Sequence, residues 1–149
     1  MSGSHSHQLL EDFHVVVPVS VQWGDADMLG HVNNTVYFRW FETGRIEYFQ
    51  RVSLWEQSKV ERIGPILASA KCDFLKQVSF PDTVRIGTRV TRIGKSSMSL
   101  EHKIYSETQE AIVAQGESII VCFDYAKNVT HPVPARIREY IEKLEGTTF

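Results

Sequence analysis

Between Asp25 and Asn34 the chain reads DADMLGHVNN. Two carboxylates, a glycine, an imidazole and two carboxamides stand directly before a run of aromatics that includes Tyr37, Phe38, Trp40 and Phe41. A turn needs a Gly and one Asn, so this segment holds more polar chemistry than turning demands. A carboxylate on a loop just ahead of a helix can sit beside a carbonyl carbon. It can attack that carbon, or deprotonate a water that attacks. The first helical turn offers backbone N–H groups without an intrahelical partner, and these can bind the carbonyl oxygen. Together they are the parts for acyl transfer to water. A blander reading uses the same residues. Asp25 and Asp27 would then be turn or dipole-stabilising carboxylates, worth about 0.3–1 kcal/mol each, His31 a turn residue, and Asn33 and Asn34 caps.

The elements that must position this loop follow from hydrophobic periodicity. Residues 14–23, HVVVPVSVQW, read as a strand, with Pro18 marking an edge or bulge. Asn34 reads as an N-cap, and Thr35 to Arg51 as a helix. Its apolar residues cover most of the circumference, which is the pattern of a buried helix. Arg39, Glu42 and Arg45 form a narrow polar stripe. Gly44 costs about 1 kcal/mol of helix propensity and makes sense if another backbone passes close by. Residues 53–62 read as a short helix or connection, and Gly64-Pro65 as punctuation. Four strands follow over residues 66–78, 83–93, 97–105 and 111–123. Val84, Ile86 and Val90 share one face with Arg85 and Arg89 on the other. No crossover helix fits between these strands, so they are antiparallel. A last helix spans residues 134–144. One sheet burying one nearly all-apolar helix is an α+β architecture. The helix has more apolar surface than one small sheet covers, so a homodimer or higher oligomer is expected.

Composition narrows the class. The 149 residues suggest one domain, residues 14–145, after a frayed tail at 1–13 that holds two histidines. A net charge of −2 lacks the basic footprint of a nucleic-acid binder. No apolar run reaches the roughly 18 residues of a membrane span, and no basic and apolar leader opens the chain. A cytoplasmic protein is expected. Cys72 and Cys122 lie in no CxxC or metal-ligand spacing and read as buried free thiols in strands. No GxSxG, HExxH, Walker or GxGxxG motif competes with the Asp25–Asn34 loop.

The stretch WGDADMLGHVNNTVYFRWFETGRIEYF resembles the signature of hotdog-fold acyl-CoA thioesterases of the 4-hydroxybenzoyl-CoA thioesterase type, in the branch carrying GDxDxxGHVNNxxYxxxFExxR. The likeness continues through RIGKSSMSLEHKIY and AIVAQGESIIVCFDYAKNVTHPVP, covering roughly residues 14–135. The resemblance implies a curved antiparallel sheet wrapped around a long central helix, sheet-to-sheet dimers, and active sites at the subunit interface. It implies that Asp27 is catalytic and Asp25 supporting. The oxyanion donor would be the backbone N–H of Asn34, with Thr35 next. Gly30 would let the loop approach the thioester. His31 and Asn33 occupy the motif and are candidate substrate contacts. Arg92, Lys95 and Ser96 match the stretch that meets coenzyme A, although Ile93-Gly94 stands where some relatives carry further basic residues.

Glu42 is the backup catalytic acid, because another hotdog branch uses a carboxylate on the long helix; its ordinary role would be pairing with Arg39 or Arg45. Trp23, Tyr37, Phe38, Trp40, Phe41 and Phe74 are expected mostly in the core, with one or two lining an acyl pocket. The expected reaction is hydrolysis of an acyl-CoA to free acid and CoA, with no metal or redox cofactor. The rivals are an acyl-carrier-protein thioesterase, a non-catalytic acyl or CoA binding module on the same fold, and hydratase-like chemistry, whose His/Asp arrangement is not found.

Overall fold

The structure, a computed structural model, describes residues 8–149. The elements are β1 (Val15–Ser20), α1 (Asn34–Arg51), α2 (Leu54–Glu61), β2 (Ile63–Phe74), β3 (Thr83–Ile93), β4 (Ser97–Ser106), β5 (Ala111–Asp124), β6 (Val129–Thr130) and α3 (Ala135–Glu145). One sheet runs β1-β3-β4-β5-β2, with β6 folded back on β5, and every pair is antiparallel. Register shifts in β2, β3 and β5 accompany its curl around α1. Pro18 lies on the edge strand β1.

Three expectations are corrected here. Gly64 and Pro65 do not punctuate the chain; they lie inside β2. Pro65 sits opposite Cys122, whose N–H turns the other way, to the Ser96 carbonyl at 2.8 Å. The absent proline N–H therefore faces the open edge of the sheet and costs no ladder bond. The strand ends at Phe74, and residues 75–78 leave it as a separate wall. Finally, Leu10 and Phe13 are buried against Tyr105, so the expected tail is packed from residue 10 onward. Residues 1–7, with the two tail histidines, lie outside the described residues.

The core has two apolar clusters along α1. One gathers Val36, Tyr37, Trp40 and Phe41 with Val84, Ile86 and Ile104. The other gathers Tyr48, Phe49 and Val52 with Val90, Leu100, Ile120, Ile137 and Ile141. Between them a polar seam crosses the sheet, with Thr88 on β3, His102 on β4 and Ser118 on β5 all fully buried. Arg45 reaches down from α1. Its Nη1–H donates to Ser118 Oγ at 3.0 Å, Ser118 Oγ lies 2.8 Å from His102 Nε2, and His102 Nδ1 lies 3.1 Å from Thr88 Oγ1. Both ring nitrogens of His102 thus have a hydroxyl partner, as a neutral imidazole with one donor and one acceptor nitrogen requires. Phe41 stacks on that ring at 4.5 Å. Arg45 is thus 8% exposed rather than part of a solvated stripe. Gly44 is needed because a Cβ there would meet Thr88 Oγ1 at 2.2 Å, a side chain and not the expected passing backbone.

Cys72 and Cys122 are free thiols, Cys122 buried and Cys72 half-buried. Burial raises both pKa values to about 11, with Asp73 adding to the effect at Cys72.

Candidate active site

The loop ahead of α1 is a small hairpin closed by an isolated bridge between Ala26 and Val32. Asp25 fixes its base: Oδ2 accepts the Gln22 N–H at 2.8 Å, and its carbonyl accepts the Asn33 N–H at 2.9 Å. Asp27 shapes the tip. Its N–H donates to the His31 carbonyl at 2.7 Å and its carbonyl accepts from Gly30 at 3.1 Å. Its Oδ1 accepts from Leu29 N–H at 2.9 Å and His31 N–H at 3.3 Å. Among the described residues, Oδ2 has no hydrogen-bond partner and no cation lies within ion-pair distance of the carboxylate. Gly30 has φ +83°, so the glycine is required by conformation.

Asn33, not Asn34, is the N-cap of α1. Its Oδ1 accepts both the Thr35 N–H at 2.9 Å and the Thr35 hydroxyl at 2.8 Å. Thr35 therefore has its donors committed and does not line the cavity described next. Asn34 becomes the first helical residue, and its backbone N–H has no partner among the described residues.

Asp27, His31, Asn33 and Asn34 line one cavity of about 450 Å³, together with Tyr37 and the wall Phe74–Gln77. That wall is pinned: the Val113 carbonyl accepts both Leu75 and Lys76 N–H groups, and Gln109 Nε2–H donates to the Gln77 carbonyl at 2.8 Å. Sequence reading missed the wall, because residues 75–77 look like a continuing strand and their anchors are distant in sequence.

Arg92, Lys95 and Ser96 are not brought to this cavity. They surround the β3–β4 turn, which faces Val121 and Cys122 on β5, whereas the cavity wall faces Ala114. Seven residues of strand separate the two, roughly 20 Å within one protomer. Glu42 is also elsewhere: it is exposed, makes no ion pair within 4 Å among the described residues, and lines a second cavity with Arg45. Three expected core aromatics are partly or largely exposed, Trp23 at 79%, Phe38 at 38% and Phe74 at 47%. Trp23 sits on the hairpin base, and the other two lie where α1 meets the open strand β2.

An antiparallel sheet curled around one long helix defines a hotdog fold, and here a loop carboxylate and the first helical residue line one cavity. The chain belongs to the thioesterase-like superfamily, whose model matches residues 21–141. It is similar to a thioesterase from Thermus thermophilus solved with coenzyme A and zinc, at 34% identity over 93% of this chain and 99% of that one, with a TM-score of 0.81. It is also similar to the acyl-CoA thioesterase YbgC of Haemophilus influenzae, at 20% identity over 86% of this chain and 94% of that one. The uncharacterized protein YsmA of Bacillus subtilis matches at 36% identity over 84 residues, so the matched segment spans 56% of each protein. Among the described residues no helix is long and apolar enough to cross a membrane.

Proposed function

We propose that the protein hydrolyses acyl-CoA thioesters to the free acid and CoA, with Asp27 as nucleophile or general base. The observation that carries this is one cavity lined by both Asp27 and Asn34. With the thioester carbon beside Asp27, its oxygen turns toward the Asn34 N–H, and negative charge gathers there as the carbon becomes tetrahedral. In the nucleophilic route the carboxylate bonds to that carbon, CoA thiolate departs, and water splits the resulting anhydride. In the general-base route Asp27 takes a proton from the attacking water instead. After a single turnover in oxygen-18 water, label in the Asp27 carboxylate marks the first route; label only in the product arises from the second route, and also from the first when water attacks the acyl carbon of the anhydride.

The active unit is proposed to be a dimer. Among the described residues the outer edge of β2, twelve residues long, has no strand partner, and such an edge invites another strand. A second copy pairing antiparallel along β2 would carry its Arg92, Lys95 and Ser96 toward the Asp27 end. That answers the roughly 20 Å separation within one protomer and gives the CoA phosphates cations to meet.

The test is CoA release from a panel of acyl-CoAs and acyl-carrier proteins, with mass measured in solution. Turnover of acyl-CoA by a dimer or larger assembly supports the reading. Tight binding without turnover across the panel would favour a non-catalytic acyl module.

A further inference from the structure

We propose that Phe38 and Phe74 limit the length of the acyl group, so that short-chain and single-ring acyl thioesters are favoured over long fatty ones. This rests on the thioesterase reading of the Asp27 cavity. That cavity sets Asp27, His31 and Asn34, with Leu29 and Val32, on the loop side against Tyr37, Phe74 and Leu75, with Lys76 and Gln77, on the wall side. A thioester carbon held beside Asp27 directs its acyl group to the wall side.

The rings there brace one another. Tyr37 meets Phe74 edge-on with centroids 5.0 Å apart, Phe38 meets Phe74 at 6.4 Å, and the buried Phe41 backs Phe38 at 6.1 Å. All three contacts are edge-to-face, the arrangement aromatic pairs favour. A second cavity of about 200 Å³ lies further along the same helix, walled mainly by Ile46, Phe49, Trp55 and Leu67. Glu42 and Arg45 also line it, but the rest of its lining is apolar and suits a methylene chain. From Asn34 to Ile46 the helix rises about 18 Å, and Phe38 stands one turn beyond Asn34 on the way. On the strand side Phe74 belongs to the first cavity and Leu67 to the second. The Phe38–Phe74 contact joins α1 to β2 at a helix position between those that line the first cavity, Asn34 and Tyr37, and those that line the second, from Glu42 to Phe49. A chain long enough to reach the second cavity has to displace these rings.

The test compares kcat/KM for butyryl-, benzoyl-, dodecanoyl- and palmitoyl-CoA in the full protein and its variants. Wild type should turn over dodecanoyl-CoA about tenfold less well than butyryl- or benzoyl-CoA. Phe38→Ala and Phe74→Ala should each raise the dodecanoyl-to-butyryl ratio by about tenfold. Both rings are partly exposed, so truncation leaves the core intact. Adding Leu67→Trp to Phe38→Ala should fill the second cavity and reverse the gain. A wild type that handles both chains equally, an unchanged ratio in both alanine variants, or a gain that survives Leu67→Trp would overturn the proposal. Inactivity of the wild type on every acyl-CoA would instead overturn the thioesterase reading beneath it.

Discussion

Asp27 and His31 close the loop ahead of α1: the Asp27 N–H donates to the His31 carbonyl at 2.7 Å, and the His31 N–H approaches Asp27 Oδ1 at 3.3 Å. One carboxylate oxygen is thereby spent on holding the loop. The other is left without a partner among the described residues, and Asp27 lines a cavity that Asn34 also lines. The imidazole takes no part in these bonds.

His31→Ala preserves every backbone bond in that loop. Its kcat should fall by less than about tenfold, well short of the ~10²–10⁴ expected for a group that moves a proton. Steady-state CoA release measures this directly. A larger fall would place the imidazole in the chemistry.

Asn33→Ala removes the acceptor for both Thr35 donors. Losing an N-cap costs about 1 kcal/mol, so the denaturation midpoint should drop accordingly. Because the same cap fixes the start of α1 and hence the Asn34 N–H, kcat should drop as well. Asn33→Asp or Asn33→Ser, which also accept from the helix start, should recover most of both.

Gly44→Ala sets two effects against each other. Alanine gains about 1 kcal/mol of helix propensity, but its Cβ would lie 2.2 Å from Thr88 Oγ1, within a short side chain already bonded to His102. Overpacking of that kind costs about 1–3 kcal/mol, so the variant should be less stable in chemical denaturation. A more stable variant would mean that the seam yields easily.

The seam also gives stability a pH dependence. Burial first, and Arg45 second, lower the His102 pKa from 6.5 to about 3. The unfolded chain therefore binds a proton as pH falls below 6.5 while the folded chain resists until about 3. His102 thus destabilises the fold progressively as pH falls across that window and has no such effect above it. Denaturation midpoints against pH should show this slope in the wild type and a shallower one in His102→Gln.

Much of the architecture was legible because β3 and β4 alternate and β5 is a run rich in apolar residues. The expected spans 83–93, 97–105 and 111–123 lie within a residue of those observed. What was not legible depends on partners remote in sequence. Arg45 looked like part of a polar stripe because Ser118, which receives it, lies 73 residues away. The cap fell on Asn33 rather than Asn34 because adjacent asparagines are equivalent caps by type, and the Asp25 carbonyl that holds Asn33 is visible only in the folded loop. The loop motif marked Asp27 and Asn34. The wall opposite them had no local signal, because its bonds to Val113 and Gln109 cross from another strand and turn.

The most direct test of the account is kcat of Asp27→Asn on an acyl-CoA that the wild type hydrolyses, with thermal stability measured alongside. Asparagine keeps an oxygen for the Leu29 and His31 N–H groups, so the loop should hold and the melting temperature should change little. We expect kcat to fall by about 10²-fold or more. Undiminished turnover by Asp27→Asn, especially if Glu42→Gln were inactive, would contradict the assignment and move the chemistry to the helix.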